Sequence, residues 1–170
     1  GQLLGVTGGD SWSKSLDTVF TDPEGDGTGS YSVRESTRKI DQTYVVLLGQ
    51  TLLASQTTHV DEKELDGSWT KQSITVTNTY NNQGQLIKVV GNGTFTSHET
   101  ALGITQESDS TGTITQTYDI VRGQALLRIS TTVSNSVTSS GDKTQSTTTI
   151  TNTYDEVGRL IKVQGAVTST

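Results

Sequence analysis

The stretch TNTYNNQGQLIKVVG at 77–91 returns 74 residues later as TNTYDEVGRLIKVQG at 151–165. The gapless match extends well beyond it. QTY at 42–44 falls on QTY at 116–118, Gly49-Gln50 on Gly123-Gln124, Leu52-Leu53 on Leu126-Leu127, and Thr57-Thr58 on Thr131-Thr132. Such a period marks tandem supersecondary units that rely on their neighbours for a continuous fold. A half-repeat lies inside each unit. Tyr44, Tyr80, Tyr118 and Tyr154 are spaced by 36, 38 and 36 residues, each preceded by Thr and, one further back, by Gln or Asn. The unit therefore reads as two similar hairpins. SWTK at 68–71 echoes SWSK at 11–14, and GQLLGV at 1–6 matches GQLIKV at 84–89. The expected organisation is a diverged N-terminal repeat with an acidic, Gly-rich loop over 1–41, a repeat unit over 42–115, and a second, truncated unit over 116–170.

Turn chemistry explains the repeated motif. In YDEVGRL, Asp155 starts a type I turn through Glu156 and Val157, and Gly158 takes the left-handed conformation that closes a three-residue loop. Gly84 has the same place after Asn81-Asn82-Gln83. This loop sets Tyr154 opposite Leu160 and Tyr80 opposite Leu86, as register-setting pairs. One step further it sets Asn152 against Lys162 and Asn78 against Lys88. By the same count Tyr118 faces Leu126 and Gln116 faces Arg128. Asp66-Gly67 and Ser139-Ser140-Gly141-Asp142 are further turns. Strands are expected at 2–7, 11–21, 29–46, 50–61, 68–80, 85–98, 103–120, 124–137, 143–154 and 159–168, all joined as antiparallel hairpins because the connections are too short for crossovers.

Alternation supports strands. Ile74, Val76, Asn78 and Tyr80 share one face, and Thr75, Thr77 and Thr79 the other. In the returning strand Ile87, Val89, Gly91, Gly93 and Phe95 are expected on the Thr side, so that neither face is purely polar. Hydrophobic residues are only 29% of the chain, too few for a large core. The fold class is all-β: an antiparallel meander of about nine or ten long strands, as a narrow sandwich, an open barrel or an extended sheet. No amphipathic helix and no apolar run of membrane-spanning length occurs in the sequence. The net charge of −6 argues against nucleic acid and anionic membranes as partners. With no cysteine there is neither disulfide nor thiolate metal site.

YDEVGRLIKV resembles the YD repeat of bacterial RHS/YD-repeat proteins through Tyr154, Asp155, Gly158, Arg159 and Leu160. At 80–89 Asn81 replaces Asp and Gln85 replaces Arg; at 118–127 Tyr118-Asp119 is kept with two extra residues before Leu126. The resemblance implies a very large secreted or surface protein whose β-sheet repeats form a shell or stalk and carry no catalysis.

Among chemical sites, DPEGDGTGS at 22–30 stands out. Asp22, Glu24 and Asp26 alternate, with Gly27 and the Thr28 carbonyl following, as at the start of a calcium loop. The closing bidentate Glu is missing, and an acidic turn explains the same residues. Calcium is the one cofactor to consider. The TVTNT, TITQT and TTTITNT arrays are similar to the T-x-T rows of β-type ice-binding proteins, although Thr is also an ordinary strand residue on a wet face. Asn78–Lys88 and Asn152–Lys162 invite comparison with isopeptide pairs, without the carboxylate such a bond needs. Asn92-Gly93-Thr94 is a glycosylation sequon that reads equally as a turn or bulge. His59 and His98 do not correspond in the repeat, and no nucleophile, metal or phosphate motif occurs.

The function expected is that of a non-enzymatic, extracellular or cell-surface protein. It would form part of a fibre, stalk or shell assembled through strand pairing. An edge strand at Gln2, Leu3, Leu4 and Val6 lacks the partner its repeat copies have, so it recruits a neighbouring repeat or a second subunit. The alternative is a calcium-dependent adhesin or carbohydrate-binding β module.

Overall fold

A computed structural model describes residues 5–7, 11–21, 30–100 and 107–170. Ten strands lie in them: β1 (Gly5–Thr7), β2 (Ser11–Thr21), β3 (Ser30–Leu47), β4 (Gln50–Lys63), β5 (Trp69–Tyr80), β6 (Leu86–Glu99), β7 (Ser108–Val121), β8 (Gln124–Thr138), β9 (Lys143–Tyr154) and β10 (Leu160–Ser169). All ten form one antiparallel sheet that does not close on itself. From β3 to β10 it is a plain meander. The expected bounds agree to within two residues at most described strand ends, because Gly and Asx punctuate nearly every reversal; β7 is the exception, beginning at Ser108 with Glu107 outside it, and the expected starts at 2, 29 and 103 lie outside the described residues. The one departure in order is at the start. β1 and β2 do not form a hairpin; they lie end to end along the same side of β3, β1 against Thr43–Val45 and β2 against Ser30–Ile40.

The turns follow their chemistry. In the loop after β9, Gly158 N–H donates to the Asp155 carbonyl at 3.0 Å and Asp155 N–H to the Arg159 carbonyl at 3.0 Å, with Gly158 at φ 88°. The loops after β4, β5 and β8 repeat this pattern, with Gly67, Gly84 and Gly141 at positive φ. The loops after β3 and β7 have two residues, Leu48-Gly49 and Arg122-Gly123, all at positive φ, as a type I′ turn requires.

Each of the four hairpins ending in these loops and the loops after β5 and β9 carries one bulge, always facing a Thr-Tyr dipeptide. The extra residue is Ala54 opposite Thr43-Tyr44, Ile87 opposite Thr79-Tyr80, Arg128 opposite Thr117-Tyr118, and Ile161 opposite Thr153-Tyr154. An extra residue shifts register by one and so changes which side chains share a face. Tyr80–Leu86 and Tyr154–Leu160 pair as expected. Beyond the bulge the expected pairs are replaced: Asn78 faces Val89, Asn152 faces Val163, and Gln116 faces Ser130. Tyr118 faces Leu127. Lys88 and Lys162 face Thr79 and Thr153, on the opposite side of the sheet from Asn78 and Asn152, which removes the isopeptide geometry.

The same shift corrects the faces. Val89, Gly91, Gly93 and Phe95 lie on the side of Ile74, Val76 and Asn78, away from the threonines. One face, the aliphatic face, gathers Ile74, Val76, Val89, Phe95 and Ile114; the other, the threonine face, also holds Val90, Ile129 and Val133, so neither is purely polar, as expected. On the latter, Thr57, Thr75, Asn92, Thr115, Thr131 and Thr149 run straight across six strands.

Only Val89 and Ile114 are buried among the described hydrophobic residues, at 3% and 8% exposure, and both sit on the aliphatic face. Glycines make this possible in a sheet one layer thick. Gln116 lies over Gly91, Ile74 over Gly93 and the Phe95 ring over Gly112, where an added Cβ would collide with them. Side chains thus fold down onto bare backbone and bury each other without a second layer.

Candidate functional site

The four hairpins separate at one end of the sheet. Pairing between β4 and β5 stops at Ser55↔Thr77, between β6 and β7 at Val90↔Thr117, and between β8 and β9 at Ile129↔Thr151, all in one row. Past that row each hairpin continues alone to its loop. A bulge next to a splayed seam frees a carbonyl, and a free carbonyl needs a donor. Asn78 Nδ2 and the Tyr80 hydroxyl both donate to the Leu53 carbonyl at 2.9 Å. Asn152 Nδ2 and the Tyr154 hydroxyl do the same to the Leu127 carbonyl at 2.9 Å. The Gln copies behave differently. Tyr44 and Tyr118 donate to Gln42 and Gln116 of their own strand at 2.8 Å. Asn in the motif stitches two hairpins together, while Gln keeps its tyrosine within its own strand. Burial pushes the Tyr118 hydroxyl up from its ordinary value.

The loops beyond are held by side chains. Asp155 accepts from the backbone of Val157 at 3.0 Å and Arg159 at 2.8 Å, and from Arg159 Nε at 2.7 Å. These bonds, the Arg159 backbone first, hold its carboxyl below the usual carboxylate range. Asn81 makes the equivalent backbone bonds to Gln83 and Gln85 at 2.9 Å without a charge.

The outer edge of β10 is the most exposed apolar region. Every residue of that strand is exposed, Val163 at 57% and Val167 at 70%, and no described strand pairs with its outer side. Nothing of the described residues comes within 4 Å of where a Gly165 side chain would start.

The threonine face carries a shallow trough of about 320 Å³ lined by Thr37, Lys39, His59, Asp61, Lys71 and Ser73. His59 and His98 do not correspond in the repeat, yet cross-strand register gives each a carboxylate. His59 Nε2 lies 3.2 Å from Asp41 and His98 Nδ1 2.8 Å from Asp109. Trp69 stacks on His98 at 6.3 Å, and Lys71 lies 6.0 Å from the Trp69 ring while pairing with Asp61 at 3.0 Å. Their sequence separations, Asp41 to His59 and His98 to Asp109, carry no motif; only the register finds them.

Of the residues singled out from sequence, Tyr80, Gly84, Leu86, Tyr154, Gly158 and Leu160 are brought together at the separated hairpins. Val6 lies in β1 opposite Tyr44. Gln2, Leu3 and Leu4, and the calcium candidates Asp22, Glu24, Asp26 and Thr28, lie outside the described residues. Among the described residues no cluster of three His, Asp or Glu could hold a metal, and no helix is long and apolar enough to cross a membrane. No protein-family model, curated protein or solved structure matches the chain.

Proposed function

We propose that this chain is a non-enzymatic building block of an extracellular fibre, stalk or shell whose sheets join strand to strand. The observation that carries the reading is β10, a long strand with Val163 and Val167 exposed and an outer edge that no described strand pairs. An edge of that kind templates pairing. Two further features support it. Among the described residues no strand covers either margin of the sheet, and the Asn–Tyr stitch recurs 74 residues apart, as in an array built from 42–115 and 116–170 units. Likeness of the Tyr154–Leu160 turn to YD repeats agrees with a surface shell or stalk. Sedimentation across a wide concentration range, with electron microscopy of the same samples, tests it. Elongated assemblies are expected, and a monomer at every concentration would sink the reading.

A second reading is a carbohydrate-binding module on the threonine face, favoured by the Trp69–His98 stack beside the trough. Calorimetric titration with oligosaccharides tests it: heat of binding that Trp69→Ala abolishes supports this use, and no heat with any sugar class rejects it.

A further inference from the structure

The register inside the sheet specifies what should cover β10. This inference rests on the assembly reading and names its partner. β10 stands 74 residues after β6, and the two match residue for residue: Val163 corresponds to Val89, Gln164 to Val90 and Gly165 to Gly91. In β6, β7 pairs Thr117 with Val90 and Gln116 with Gly91. Val89 is 3% exposed, and Gln116 lies over Gly91 so closely that a Cβ there would stand 2.6 Å from its Oε1. In β10 the same positions are bare. Val163 is 57% exposed and Gly165 has an open space above it. Glycine inside a strand weakens it unless something approaches closely, and at Gly165 none of the described residues does.

The group that fits there is a strand like β7, and this chain has a second one. β3 carries Gln42-Thr43-Tyr44 where β7 carries Gln116-Thr117-Tyr118. The side chains are held alike, Tyr44 donating to Gln42 Oε1 and Tyr118 to Gln116 Oε1, both at 2.8 Å. The geometry points to β3 of a second copy as the occupant of the β10 edge, with Gly165 receiving Gln42. Transferring the β6–β7 register, Val90↔Thr117 and Gly91↔Gln116, gives Gln164 opposite Thr43 and Val167 opposite Ile40 of the second copy.

Faces stay consistent: Gln164 pairs with Thr151, and Thr43 with Ser55, both on the threonine face. One substitution is compensated. Gly93, crowded by Ile74, becomes Val167, and its neighbour Ile74 becomes Thr148, which leaves room for the larger side chain. The side of β3 to be used is the one that β1 covers from Thr43 to Val45, and the Ser11–Ser13 end of β2 from Arg38 to Ile40. β10 of one copy therefore takes the places of Thr7 in β1 and of Ser11–Ser13 in β2 on the next. Such a contact is head-to-tail and does not close, so it extends into a ribbon.

The chain has no cysteine, which makes single cysteines a clean register ruler. Gln164→Cys and Thr43→Cys chains are mixed, refolded together from denaturant and oxidised. A mixed disulfide is expected at least ten times more often than from Gln164→Cys with Lys39→Cys, which the register separates. Separately, Gly165→Val should leave each copy folded, because nothing crowds that position, and should weaken association at least tenfold by sedimentation. Assembly that tolerates Gly165→Val and gives no in-register disulfide overturns this pairing and leaves the building-block reading standing. No assembly at any concentration overturns both.

Discussion

Tyr80 donates its hydroxyl to the Leu53 carbonyl at 2.9 Å, across a seam where the β4–β5 ladder has already stopped at Ser55↔Thr77. Tyr44, at the matching place one hairpin earlier, reaches only Gln42 of its own strand. The difference lies in the partner at the preceding-but-one position: the short Asn side chain joins the tyrosine on the carbonyl, whereas the longer Gln turns back to meet it.

Tyr80→Phe and Tyr154→Phe should each lower stability by about 1 kcal/mol, the usual net worth of one such bond. Tyr44→Phe should have a smaller effect, because no strand-to-strand contact goes with its hydroxyl. Urea unfolding of the three variants compares them; equal losses would show that the stitch adds nothing.

The loop after β9 should respond to acid and its partner after β5 should not. The Asp155 carboxyl is held below its unfolded value, so its contribution is fully present above the unfolded pKa, near 3.8, and is lost as pH falls through the lower folded value. Asn81 has no such titration. Hydrogen exchange at Gly158 should speed up as pH drops below about 4 relative to Gly84 after correction for intrinsic rates, and Asp155→Asn should remove the difference.

Leu48 and Arg122 sit at φ 52° and 53°, where a side chain with a Cβ is disfavoured. Asn tolerates that conformation and is the preferred first residue of this turn. Leu48→Asn and Arg122→Asn should raise stability by about 0.5–1 kcal/mol each, read from the shift in denaturant midpoint.

Gly93 and Gly165 should respond oppositely to alanine in the isolated chain. A Cβ on Gly93 would stand 2.5 Å from the Ser73 carbonyl oxygen and 2.7 Å from Ile74, while one on Gly165 meets nothing. Gly93→Ala should destabilise by about 1–3 kcal/mol, the range for overpacking. Gly165→Ala should be neutral or slightly stabilising in thermal unfolding of the monomer.

Strand limits were legible because each reversal writes its own chemistry: Asp66-Gly67, Asn81 to Gly84 and Asp155 to Gly158 all announce a loop. The bulges were not. Ala54, Ile87, Arg128 and Ile161 have no type common to all four, although the two isoleucines are repeat copies of each other. An extra residue there is dictated by the end of the neighbouring seam, which is a property of the assembled sheet. One missed residue per hairpin was enough to put Val89 on the wrong face and Lys88 opposite the wrong partner. The His–Asp pairs were hidden for the same reason.

A sheet one layer thick has a mechanical consequence. Its hydrogen bonds lie across the strands, so a pull from β2 toward β10 loads the seams in series and peels the weakest first. A pull along the strands shears all the bonds of a seam together. The protein should therefore be compliant in its width and stiff in its length. The row from Ser55 to Thr151, where three seams end, is where a tear from the hairpin side would begin.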